Sequence, residues 1–326
     1  MRTTRSWACL SLVPCALSLG GYECATAQAY PTKPIRIVIP FTPASASDIL
    51  ARLISPKLHE AYGQQVVVDD RPSAGGTIAG EIVARATPDG HTLMLTSSAF
   101  AGSAALYDKL PYDSVRDFSG VSQVAETALV MVVAPSLGVK SAKELIDLAR
   151  AKPGQLTFAS SGIGSGTHYG TELFKMAAKV DVVHVPFRGT PEGITDTAAG
   201  RVNFFLTPLL TAMPLIRAGR LLPLGVTTAT RQPLMPEVPA LTEAALPGYT
   251  YDGWFGVFTQ SRVPRKIVNQ LSREIARILD LPEVKDRIAT QGAAAKSSTP
   301  EQFDKLVHGE IATRKKVFKA AGVKPE

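Results

Sequence analysis

Cysteine is nearly absent from this chain of 326 residues: there are three, Cys9, Cys15 and Cys24, all near the N-terminus. Past them no disulfide, thiolate nucleophile or cysteine-ligated metal is available. Without crosslinks the fold must rest on core burial, which this length at 45% hydrophobic residues can supply. Histidine is scarce as well. His59, His91, His168, His184 and His308 fall at no metal-ligand spacing and stand beside no carboxylate cluster, so neither a metal nor a cofactor is expected. There is no low-complexity linker and no internal repeat. No apolar run reaches the ~20 residues needed to span a bilayer. An aromatic-interleaved basic stripe is also missing, which sets nucleic acid aside as a partner.

The basic residues that are present give a formal net charge of +7. They are spread along the chain, as on a solvated surface, apart from "RKK", Arg314 to Lys316, on the last helix. Arg2 and Arg5, the apolar stretch "WACLSLVPCALSLGG" and the small residues Ala25 and Ala27 form a secretory leader, residues 1–27. A mature chain starting near Gln28 is expected. Pro14 and Glu23 precede Cys15 and Cys24, which does not fit a lipid-attachment box.

Beyond the leader, strand, loop and helix signals alternate. Apolar runs at Ile35–Ile39, Gln65–Val68, Thr92–Thr96, Ala128–Ala134, Leu156–Ser160, Val182–Val185, Val202–Leu206, Leu222–Thr227 and Trp254–Phe258 predict strands. Continuous runs separated by helices predict α/β architecture, with mostly parallel sheets buried on both faces. Helices are expected to open at Ser47-Asp48, at Ser141 with Glu144, and at Thr299-Pro300-Glu301. The first should end at Gly63 and kink at Pro56. About 300 residues exceed a usual single domain. Two lobes follow, one discontinuous (28–126 plus 252–326) and one continuous (127–251), joined by strands near Thr127 and Tyr251.

Two strand-to-helix loops carry the strongest chemical signal. "FTPASASD" runs from Phe41 through Ser45, Ala46 and Ser47 to Asp48; "SSGIGSGTHYG" includes Ser160, Ser161, Gly164, Ser165, Thr167 and His168. Small and hydroxyl-bearing residues at a helix N-terminus offer unpaired amides and a positive dipole end to an anion. Turn and cap chemistry alone is the competing reading. The second loop fails two enzyme motifs: Thr167 stands where a dinucleotide fingerprint needs glycine, and Ile163 where a serine-hydrolase elbow does. Ser165, His168 and Asp196 supply the ingredients of a triad, so an exported α/β serine hydrolase is the alternative function. A third loop offers Phe187, Arg188 and Gly189, with the arginine able to meet a carboxylate bidentately. Ser98 and Thr207 complete the candidate ligand-binding set.

In order along the chain, "YPTKPIRIVIPFTP", "VVVDDRPSAGGTIAGEIVARATPDGHTLML", "PGQLTFASSGIGSGTHYGTELFK", "HVPFRGTPEGITDTAAGRVNFF" and "MPEVPALTEAALPGY" resemble the substrate-binding receptors of tripartite tricarboxylate transporters, the Bug family of periplasmic binding proteins. The resemblance covers Tyr30 to Lys324. It implies a two-lobed, type II-like periplasmic binding protein, not an enzyme. Such a protein closes over a small organic mono- or dicarboxylate and presents it, as a monomer, to membrane permease subunits. It further implies that backbone amides and ordered water in the loops Thr42 to Asp48 and Ser160 to His168 hold the carboxylate, aided by Phe187 to Gly189. Members show P-x-G-G-x-x-D in the first loop, where this chain has Ala44, Ser45, Ala46 and Ser47 before Asp48. Phe41, Phe100, Phe187 and Phe205, near strand ends, point to an aromatic dicarboxylate such as terephthalate.

Overall fold

The long apolar runs become the centre of one mixed sheet. The computed structural model describes residues 30–290 and 292–324; the leader and its three cysteines lie outside the described residues. The strands are β1 (Ile35–Ile39), β2 (Val66–Asp70), β3 (Thr92–Ser97), β4 (Phe118–Val133), β5 (Thr157–Ser160), β6 (Val183–Pro186), β7 (Phe204–Pro208), β8 (Leu222–Val226), β9 (Asp252–Gln260) and β10 (Ala293–Ala295). Between them run α1 (Ala46–Tyr62), α2 (Thr77–Ala84), α3 (Ala99–Leu106), α4 (Ala142–Ala151), α5 (Gly166–Ala178), α6 (Thr190–Ala198), α7 (Leu209–Arg217), α8 (Leu241–Ala244), α9 (Arg265–Asp280), α10 (Pro282–Ala289) and α11 (Pro300–Ala320). The strand order is β2-β1-β3-β9-β4-β7-β5-β6, with β8 and β10 also paired to β4.

Parallel pairing holds in the outer parts, where β1 joins β2 and β3, and β5 joins β6 and β7. The expectation of mostly parallel sheets gives way at the centre. There β4 runs antiparallel to β9, β7 and β8, and β3 antiparallel to β9. Burial on both faces also has limits: β2 and β6 are edge strands, and Val67 and Val183 are exposed. In β1, by contrast, Ile35, Ile37, Val38 and Ile39 are wholly buried. Each contributes about 1.5–3 kcal/mol to holding the strand whose end carries the first loop.

The 16-residue β4 changes partners along its length. It pairs with β9 as far as Ala128 and with β7 from Leu129 onward. Its first half escapes the apolar pattern because Ser122 and Gln123 are buried polar residues, satisfied by the segment around Ser298. From Pro31 on, the described chain forms one compact unit. Among the described residues no helix is long and apolar enough to cross a membrane.

Capping residues fix the helix starts. Ser45, two residues before the expected opening, caps α1, which runs on through Pro56 to a left-handed Gly63. Ser141 caps α4 and Thr299 caps α11 with a full capping box. In the basic run on α11, Arg314 is wholly buried.

Candidate functional site

The two small-residue loops have the same local construction. Ser45 caps α1 by accepting from the Asp48 amide, and Ser165 caps α5 by accepting from the His168 amide. The third helical residue then reaches back four positions in each case. Asp48 Oδ2 accepts from the Ala44 amide at 2.8 Å, and His168 Nδ1 from the Gly164 amide at 3.1 Å. The residue receiving that grip is left-handed in both loops, Ala44 at φ 61° and Gly164 at φ 78°. Glycine bears this conformation freely; alanine bears it at a cost of about 1–2 kcal/mol. The first loop therefore keeps the backbone that glycine would favour while presenting side chains.

With the third amide of each helix capped, the first two remain without intrahelical partners. Their residues, Ala46 and Ser47 in α1 and Gly166 and Thr167 in α5, line one cavity of about 420 Å³, mouth included. Phe41, Ser45, Ser98 and Ser161 line it too, so seven of the candidate residues, with Ala46, Ser47 and Thr167, are brought together. Thr167 braces its loop from within: its hydroxyl accepts from the Ser161 amide at 2.9 Å and bonds the Ser161 and Ser165 hydroxyls.

The other candidates lie outside the lining. Asp48 is buried, held by Ala44 and ion-paired to Arg52. Ser160, wholly buried at the end of β5, shares a 2.6 Å hydrogen bond with His184 Nε2. Gly164 packs its backbone on Gly102, and Ser165 is spent as a cap. Phe187 packs at the edge of the core cluster that holds Phe205, Arg188 is exposed, and Gly189 abuts Thr42. Thr207 is buried at the end of β7, facing Thr211. Phe100 stacks on Phe258 in the core, so of the four phenylalanines only Phe41 faces the cavity.

The triad ingredients are not assembled. His168 spends Nδ1 on the Gly164 amide and turns Nε2 toward Glu172, 3.6 Å away, while Asp196 is ion-paired to Arg201. Residues not singled out from the sequence form the rest of the wall, chiefly Thr190, Tyr251, Trp254 and Phe255. "DGWFGVF" reads as a buried strand, and that reading concealed them. Three polar atoms on this wall, Ser47 Oγ, Thr190 Oγ1 and Trp254 Nε1, are buried with no hydrogen-bond partner among the described residues. Each can donate, and a buried donor left unpaired costs about 1–3 kcal/mol. Unpaired donors between two helix N-termini suit an anion bearing several acceptors.

The chain is similar to known proteins across nearly its whole length. A protein from the tcbD-tcbE intergenic region of Pseudomonas sp. (strain P51) is 36% identical over 310 residues, 95% of this chain and 92% of the relative. BugT of Bordetella pertussis is 32% identical over 301 residues, 92% of each chain. Among solved structures, an R. palustris protein with adipate superposes at a TM-score of 0.88 with 35% identity, covering 91% of this chain and all of that one (100%). MatC from Rhodopseudomonas palustris with bound malate gives 0.83 at 29% identity, covering 88% and 99%. The model described as tripartite tricarboxylate transporter family receptor matches residues 50–323, and with these relatives it places the chain in that family, among solute-binding receptors rather than enzymes.

Proposed function

We propose that this protein is a periplasmic receptor that captures a small organic mono- or dicarboxylate and delivers it, as a monomer, to the permease subunits of a tripartite tricarboxylate-type transporter. The leader over residues 1–27 is cleaved on export. One observation carries the reading: the first-turn residues of α1 and α5 line the same cavity, together with three unpaired buried donors. Residues 28–126 plus 252–326 act as one lobe and 127–251 as the other, closing on the ligand. Ser165 and His168 are not assembled as a nucleophile and base, which leaves the hydrolase alternative without support.

The finer reading is an aromatic dicarboxylate of the terephthalate type. Its support has moved from Phe100, Phe187 and Phe205 to Tyr251, Trp254 and Phe255, which line the cavity with Phe41. Trp254 is the sole tryptophan beyond the leader, so its fluorescence reports the site directly. Titration with terephthalate, adipate, malate and citrate is expected to change that signal, with terephthalate binding tightest. A preference for citrate with no response to terephthalate would sink the aromatic reading; silence to all four would sink the receptor reading.

Ser47→Ala and Thr190→Val are expected to act with opposite signs on ligand and fold. Each removes a buried hydroxyl that the free protein leaves unpaired, so ligand-free stability should hold or rise by about 1 kcal/mol. Affinity should fall roughly tenfold or more, the worth of a hydrogen bond to a charged group. Thermal unfolding alongside the fluorescence titration checks both arms.

A further inference from the structure

Among the described residues the cavity lining includes no cationic side chain, yet a wholly buried one stands behind its wall. Arg314, on α11, donates from Nη2 to the Tyr251 hydroxyl at 3.0 Å and from Nε to Glu310 at 2.9 Å. Its guanidinium lies 4.2 Å from the centre of the Tyr169 ring. Tyr251 Oη is in turn 2.9 Å from Ser98 Oγ, and both Tyr251 and Ser98 line the cavity.

A guanidinium donates and never accepts, so Tyr251 accepts from Arg314. Between the Tyr251 and Ser98 hydroxyls either can be the donor, and whichever donates, the pair keeps one hydrogen for the cavity that both residues line. With the phenolic hydrogen on Ser98 Oγ, the hydrogen kept for the cavity is that of Ser98. Although Ser98 is the cap residue of α3, its side chain makes no capping bond, so helix chemistry does not claim it. Gly166 presses against the pair: a Cβ there would lie 2.5 Å from Ser98 Oγ and 2.8 Å from Tyr251 Oη. That contact limits where either hydroxyl can turn.

We propose that Arg314 is a positioning residue for ligand binding: through Tyr251 it fixes the Ser98 hydroxyl as a donor to a ligand carboxylate, and so supplies from behind the wall the positive charge that the cavity lacks. This rests on the receptor reading and names the device by which that site selects an anion. Burial works to lower the pKa of Arg314, but Tyr251 and Glu310 outweigh it and hold the pKa above its ordinary value. Burial in turn raises that of Tyr251, so the relay keeps its protons. A buried charge also weakens slowly with distance where water is excluded.

The test is a double-mutant cycle read by Trp254 fluorescence, using whichever of terephthalate, adipate or malate binds wild type most tightly. Ser98→Ala and Arg314→Met should each weaken binding about tenfold, and the double variant no further than about the worse single one, because both break one row. Methionine matches the buried volume, and Arg314→Lys, which keeps a donating charge, should recover part of the loss. Should Arg314→Met fail to fold, Tyr251→Phe takes its place in the cycle, since it removes the middle hydroxyl alone. Additive losses near a hundredfold, wild-type affinity in Arg314→Met, or no recovery with lysine would overturn the relay while leaving the receptor intact. No binding of any of the three acids by wild type would overturn both.

Discussion

Gly102→Ala is expected to lower ligand affinity by about 100-fold or more while leaving the ligand-free unfolding midpoint within a few degrees of wild type. Gly102 lies in α3, where a Cβ would stand 1.7 Å from the backbone oxygen of Gly164 and 2.7 Å from its carbonyl carbon. The obstacle is backbone on both sides, so no side chain can swing aside. Helix and loop would have to part by roughly 1.5 Å to reach ordinary contact. Gly102 belongs to the proposed lobe 28–126 plus 252–326 and Gly164 to the proposed lobe 127–251, so the added methyl acts as a wedge against closure. The proposed open form would lose little, and alanine in a helix even gains about 0.5–1 kcal/mol over glycine. Displacing the Ser160 to His168 loop, however, removes the α5 amides from a ligand already held by α1. Gly309→Ala, in α11 with nothing near its would-be Cβ, supplies the control that shows the helix gain alone. Near-wild-type affinity in Gly102→Ala would defeat the argument. A large fall in the ligand-free midpoint would instead mark the contact as permanent core.

That contact could not be read from the sequence, and the reason is general to this fold. The caps Ser141 and Thr299 were legible because they are local, each accepting from an amide three residues on, whereas the same pattern at Ser45 was placed two residues late. The strand runs were legible because full burial leaves no polar positions, as in "LVMVV" of β4. The site is legible only as far as it is made of such local pieces, which is why Ser45, Ser47, Ser161 and Thr167 were found and Thr190 and Trp254 were not. Trp254 enters the cavity from a strand that looks like any core strand, and only the antiparallel pairing of β9 with β3 and β4 brings it there. Phe100 fails in the opposite sense: placed near a strand end, it turns into the core against Phe118 and Phe258. Arg314 fails because charge in a helix is read as solvated, and its partner Tyr251 is 63 residues away. The missing glycines in "FTPASASD" were visible, but not that Ala44 would hold the left-handed turn regardless.

Acid is expected to weaken this protein through His184 by about 2 kcal/mol between pH 6.5 and pH 5. Its ring stacks on both Phe158, 4.8 Å away, and His168, 4.0 Å away, with Nε2 bonded to Ser160 at the root of the second loop. Burial first, then the charges of His168 and Lys175, press its pKa from 6.5 down to about 3. Above pH 6.5 neither the folded nor the unfolded chain holds this proton, so the contribution is constant. Below it the unfolded chain takes up a proton that the native ring refuses, and stability falls by about 1.4 kcal/mol per pH unit until the native ring protonates near pH 3. Glu172 is kept out of that window. Burial works to raise its pKa, but hydrogen bonds with His168 and Lys175 hold it below its ordinary 4.5, so its stabilisation is lost only at lower pH. Between pH 6.5 and about 4.5 the histidine term is therefore isolated from the carboxylate. His184→Gln keeps a hydrogen-bonding partner for Ser160 and cannot titrate, so its unfolding free energy should fall by about 2 kcal/mol less than that of wild type between pH 6.5 and 5. Denaturant unfolding at pH 7.5, 6.5, 5.5 and 5 measures the difference, and parallel profiles would remove His184 from the account. Because the native ring stays neutral until about pH 3, its bond to Ser160 is unchanged over this window, so the affinity of the folded protein should respond no differently in wild type and in His184→Gln while their stabilities diverge.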